Sequence, residues 1–122
     1  MTDMTVHSRA ILLRHFPDRE ADYFEPMTVG GTPASMDEGA RLILEQQKTI
    51  TSSATWEWTE DNRPFAGALS VLFDGREAAR AILETTVVEL LRAGDFDEEL
   101  AYAYGEGERT LDWWQREIGE HY

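Results

Sequence analysis

The chain has 122 residues, 24 of them acidic and 11 basic, for a net charge of −13, and it contains no cysteine. That length suits one compact domain, residues 1–122, and the 42% of hydrophobic residues with 11% aromatics argue against disorder. Disulfides and zinc–thiolate sites are excluded, and nonspecific binding to nucleic acid is disfavoured, because neutralising phosphates needs cations and lysine occurs once, at Lys48.

The N-terminus, Met1-Thr2-Asp3-Met4, lacks the basic and apolar regions of an export signal, and no stretch approaches the roughly 20 apolar residues that span a bilayer. These features predict a soluble cytoplasmic protein with no membrane association. Ile11, Leu12, Leu13 and Phe16 give Ser8 to Phe16 a short helical signal that Pro17 ends. Pro26 to Pro33, with Gly30-Gly31, reads as a loop. Ser35, with Glu38 completing a capping box, predicts a helix from about Met36 to about Gln46 that buries Ala40, Leu42, Ile43 and Leu44.

From Thr49 the pattern changes to β-formers, and alternation predicts a strand to about Trp58. A turn at Glu60 to Pro64 follows. Strands are then predicted at Ala68 to Phe73 and Ala79 to Leu91, with Asp74-Gly75 as the turn between them. Asp95 or Asp97 caps a helix through Tyr102, and Thr110 starts a last helix carrying Leu111, Trp113, Trp114 and Ile118. Trp113 and Trp114 are adjacent, so one packs in the core while the other covers a loop or an interface. The fold class is α+β, with an antiparallel-rich sheet in its middle.

Chemistry-bearing residues are few. From Asp95 to Tyr122 nine acidic residues stand against two arginines, the pattern of a solvated acidic face. His7, His15 and His121 are not at ligand spacing with a convergent Asp or Glu, so no metal and no cofactor is expected. Lys48 and Thr51 place a base and a hydroxyl three residues apart. On local grounds alone, Lys48 is a cation favoured at the end of a helix, and Thr51 an ordinary strand residue.

Leu42 to Ser53, Trp56-Glu57, Ile82 to Thr86 and Tyr104 to Trp114, taken in that order, resemble the ASCH domain family of the PUA-like superfamily. The resemblance runs from about Phe24 to the C-terminus, residues 1–23 matching poorly, and it implies a small β-barrel flanked by helices. Larger members continue past the last helix with a strand that completes the barrel. Here either the N-terminal segment fills that place, or the barrel is open with its edge covered by a second chain, and a homodimer is favoured.

The small bacterial ASCH amidohydrolases deacylate N4-acetylcytidine and related N4-acylcytosines with a Lys-x-x-Thr pair and a glutamate before the last helix. Carried over, the resemblance implies Lys48, Thr51 and Glu106 as catalytic residues, with Glu108 the other choice for the acid. The substrate is then a small nucleoside or nucleobase. Candidate substrate contacts are Thr49, Ser53, Trp56, Glu84, Tyr104, Glu108 and Arg109. Trp56, Trp58 and Tyr104 have faces on which a pyrimidine can stack, and Glu84 either meets a ligand or bonds Arg109. Thr51 is a poor nucleophile until deprotonated, so Lys48 must be neutral, against the pull of a nearby carboxylate. Whether Thr51 attacks directly or positions water with Lys48 stays open, as does the alternative of an RNA-binding or ribonuclease member, or of a noncatalytic nucleoside sensor.

Overall fold

A computed structural model describes residues 4–122. The described residues form helices α1 (Met4–His15), α2 (Pro33–Leu44), α3 (Glu98–Tyr104) and α4 (Leu111–Glu117) and strands β1 (Tyr23–Met27), β2 (Leu69–Phe73) and β3 (Ala79–Glu84). The chain divides into two compact units. One holds the chain up to Ala40 with Glu60–Val88, and the other holds Arg41–Thr59 with Glu89–Tyr122.

The first unit is a three-stranded sheet in the order β1-β2-β3, with β1 parallel to β2 and β2 antiparallel to β3. All five residues of β2 are buried, as suits an apolar central strand. Ile11 and Leu12 of α1 pack on Leu69, Val71 and Phe73 to form its core. Helix α1 starts four residues before the predicted Ser8. The hydroxyl of Ser8 is fully buried and has local partners, donating to the Thr5 carbonyl and bonding the Tyr23 hydroxyl.

The α+β class is as expected, and the sheet is open, with three strands that do not close into a barrel. Two predicted strands change. Residues 49–58 form an irregular segment with a 3-10 turn at Thr55–Glu57: the Thr49 amide donates to the Ala103 carbonyl of α3 at 2.9 Å, and the Glu57 and Trp58 amides turn back on the Ala54 and Thr55 carbonyls. The strand predicted to Leu91 stops at Glu84, opposite Leu69, where its partner β2 begins. After the Thr85 amide bonds the Ala68 carbonyl, Val87 and Leu90 run on exposed. Strand β1 carries Pro26 within the stretch read as a loop, a residue tolerated on an edge strand.

Helix α2 begins two residues after Gly31, and its cap is Thr32, three residues before the predicted Ser35. Thr32 and Ser35 close a reciprocal box, each side-chain oxygen accepting from the other's backbone amide at 3.1 and 2.9 Å. Pro33 takes the first helical position, where its missing N–H costs nothing.

The second unit packs Phe96, Ala101, Tyr104 and Trp114 into an aromatic core, with Phe96 stacked on Trp114 at 3.7 Å between centroids. Asp97 and Thr110 cap α3 and α4 by accepting from Leu100 and Trp113 amides. Trp114 is the buried member of the tryptophan pair, while Trp113 lies against Gly107 in the loop before α4.

Candidate active site

The site lies in the second unit and grows from the ends of two helices. Helix α2 ends in a Schellman motif: the Gln46 amide bonds the Ile43 carbonyl and the Gln47 amide the Leu42 carbonyl, both at 3.0 Å. Gln46 occupies the left-handed position, φ 61°, where glycine is usual. The Lys48 amide adds a second bond to the Leu42 carbonyl, so the lysine leaves the helix with its backbone fixed.

That turn sets residues 47–49 against the C-terminus of α3, where unpaired carbonyls collect. Arg109 Nε donates to the Tyr102 carbonyl at 3.0 Å, the Thr49 amide to Ala103, Lys48 Nζ to Tyr104 at 3.1 Å, and Gln47 Nε2 to Gly105 at 2.9 Å. Lys48 is therefore a helix-end cation, as local reasoning allows, but for α3 and not for the helix that precedes it. Gly105 makes the approach possible. Its φ is 76°, and a Cβ there would lie 2.4 Å from the Gln47 carbonyl oxygen and 2.6 Å from Lys48 Cα.

The lysine side chain is 1% exposed. Its Nζ is 2.8 Å from Glu106 Oε2 and 3.3 Å from the centroid of the Tyr104 ring. Burial pushes the Lys48 pKa down, and the hydrogen bond and charge of Glu106 oppose part of that shift. Glu106 is held between Gly105 and Gly107, both in the left-handed region, and remains 24% exposed at its side chain. Of the two candidate acids, Glu106 meets the lysine, while Glu108 is exposed and faces Arg116 at 3.8 Å.

The Tyr104 phenol reaches the other side of the motif. Burial pushes its pKa up to about 12, against the lowering effect of the neighbouring Ser52 and Thr51 hydroxyls. Thr51 is exposed. Ser52 in turn bonds the Tyr122 hydroxyl at 2.8 Å. Lys48, Thr51, Glu106 and Tyr104 thus come together in one unit. Ser52 and Tyr122 belong with them and were not read from the sequence. The hydroxyl run Thr51-Ser52-Ser53 was the available hint, whereas nothing local marks Tyr122.

The remaining candidates are placed differently. Thr49 directs its hydroxyl to the Ala103 carbonyl at 3.3 Å, and Ser53 accepts from the Trp58 indole at 2.6 Å. Trp56 is 73% exposed. Arg109 stacks on Tyr102 at 3.6 Å and also bonds the Gln47 carbonyl, so its guanidinium serves the backbone. Glu84 belongs to the sheet unit, where Arg19, and not Arg109, donates to it at 3.4 Å. Among the described residues no three His, Asp or Glu side chains converge as metal ligands, and no helix is long and apolar enough to cross a membrane.

A family model for the ASCH domain matches residues 25–122. The ASCH domain of Lactobacillus crispatus JV V101 superposes with a TM-score of 0.75 at 22% identity, covering 88% of this chain and 74% of that one. Protein EF3133 from Enterococcus faecalis V583 gives a TM-score of 0.73 at 26% identity, with 92% of this chain and 71% of that one covered. The search of curated proteins finds no significant match.

Proposed function

The chain belongs to the ASCH domain family, and from that membership we propose that it is an amidohydrolase removing the acyl group from N4-acylcytosine compounds such as N4-acetylcytidine. The observation that carries this reading is the buried Lys48 side chain, 2.8 Å from Glu106, with the exposed Thr51 three residues further on. These are the residue types and the spacing of the small bacterial ASCH amidohydrolases.

The pair can exist as ammonium and carboxylate or, after the proton moves along the Nζ–Oε2 contact, as amine and carboxylic acid. Burial favours the second form. In it the Lys48 amine accepts the Thr51 proton as Oγ1 bonds the acyl carbon. Glu106 then protonates N4 as the C–N bond breaks, and the cytosine compound leaves as a neutral amine. Water attacks the resulting ester and gives a proton to the Glu106 carboxylate, while the Lys48 ammonium reprotonates the departing Thr51 oxygen. One water is consumed and one carboxylic acid released per amide cleaved. Water attacking directly, with Thr51 and Lys48 positioning it, uses the same groups.

Incubation of the purified protein with N4-acetylcytidine and a longer-chain N4-acylcytidine, followed by chromatography of the nucleoside, tests the proposal. Cytidine release is expected. Nucleoside binding without release would instead indicate a sensor, and retention of single-stranded RNA without release an RNA-binding module. Either result would overturn the hydrolase reading.

A further inference from the structure

The geometry points to a further binding site, in the groove between α1 and β3, that takes an amphipathic carboxylate: one anionic head on an apolar body. The groove lies wholly within the sheet unit, whereas Lys48 and Glu106 belong to the other, and its volume is about 790 Å³. A space of that size suits a small organic ligand. Ile11, Phe16 and Ile82 give it apolar surface, and Phe16 is 44% exposed. Arg14, His15 and Arg80 are its polar side chains. Among the described residues no acidic side chain lines it, in a chain with 24 acidic residues and a net charge of −13. A surface so acidic repels small anions, and a groove with only basic polar lining is where one can settle.

The charges fit a single carboxylate. Arg80 lies 3.4 Å from one oxygen of Asp74, whose other oxygen accepts from the Arg76 and Ala78 amides. Arg14 has no ion-pair partner among the described residues. With Arg80 offset by Asp74, the Arg14 guanidinium is the uncompensated cation, and its parallel N–H groups match the two oxygens of a carboxylate. Arg14 and His15 also occupy the last turn of α1, where cations offset the helix dipole. That role requires neither apolar surface beside them nor an arginine on β3, and the ligand uses both. Helix α1 precedes residue 25, where the ASCH match begins, so one wall of the groove lies outside the matched part of the chain.

The test titrates octanoate into the whole 122-residue chain and follows backbone amide shifts by NMR. Saturable shifts confined to residues 11–16 and 79–82 are expected. The Kd should be on the order of 1 mM, as suits an open site with one charge pair. Acetate keeps the head and octanol the body, and each should bind about tenfold more weakly than octanoate. Arg14→Gln, its fold checked by circular dichroism, should weaken octanoate about threefold, the scale of an exposed ion pair. Arg80→Gln should weaken it less, and Phe16→Ser should weaken octanoate while leaving acetate unchanged. No saturable shift up to about 20 mM octanoate, shifts elsewhere on the surface, or unchanged binding by folded Arg14→Gln would overturn the proposal. A polyglutamate peptide that shifts the same residues at lower concentration would assign the groove to an acidic segment of a partner protein. A dimer in sedimentation that Phe16→Ser dissociates would assign it to a second copy. Either result would also overturn the small-ligand site.

Discussion

Lys48 and Tyr104 meet twice: the lysine ammonium donates to the tyrosine carbonyl at 3.1 Å and sits 3.3 Å from the centre of the same residue's ring. A cation over an aromatic face and at a helix C-terminus is stabilised by both, and Glu106 adds a third attraction. Burial works against all three. The net lowering of the Lys48 pKa is the direction the proposed chemistry asks of it.

This close approach depends on Gly105. Gly105→Ala would force a left-handed alanine and drive its Cβ into the Gln47–Lys48 backbone, with main-chain atoms that cannot swing away. The substitution is expected to cost on the order of 2–4 kcal/mol and to abolish turnover even in the fraction that folds. Thermal unfolding and activity per folded molecule check both effects.

Stability should respond to alkaline pH in two opposing ways. The folded pKa of Lys48 lies below its unfolded value, so between the two the unfolded chain holds the extra proton and stability rises with pH. Tyr104 is raised from 10.0 to about 12, so across that interval the folded chain keeps a proton the unfolded chain has lost, and stability falls as pH rises. The fall should be on the order of 2 kcal/mol. Denaturant midpoints measured from pH 8 to 11.5 should show the rise missing in Lys48→Met and the fall missing in Tyr104→Phe.

Arg109 is expected to act through the backbone. Its guanidinium joins the Tyr102 and Gln47 carbonyls and stacks on the Tyr102 ring. A lysine offers neither the planar stack nor two donors in fixed directions. Arg109→Lys should therefore destabilise the fold by about 1–2 kcal/mol and reduce kcat by loosening the segment that carries Lys48. Guanidinium added at millimolar concentration, if it restores kcat, would identify the lost group.

Much of this arrangement was legible where the signal is local. Asp97, one of the two acids read as a cap, Thr110, and the strand read at Ala68 to Phe73 and found at Leu69–Phe73 were visible because caps and buried strands are specified by neighbours in sequence. The residues 49–58 misled. Their β-branched and aromatic residues promise a strand, but a strand needs a partner, and here Thr49 bonds the end of α3 while Glu57 and Trp58 bond back within the segment. The predicted strand failed beyond Glu84 for the related reason that β2 begins at Leu69: Thr85 still bonds Gly67 and Ala68, and Val87 and Leu90 run on exposed. In the site, the Lys48-to-Thr51 spacing was visible in the sequence. The Ser52–Tyr122 bond joins residues seventy positions apart, and only the fold brings them together.

The most direct measurement is kcat on N4-acetylcytidine for Lys48→Met and Glu106→Gln beside wild type, each checked for its fold. The account expects cytidine release by the wild type and a fall of about 100-fold or more in each variant, the usual range for a lost proton-transfer group. Well-folded variants that release cytidine at the wild-type rate would contradict the assignment of this pair as the catalytic centre.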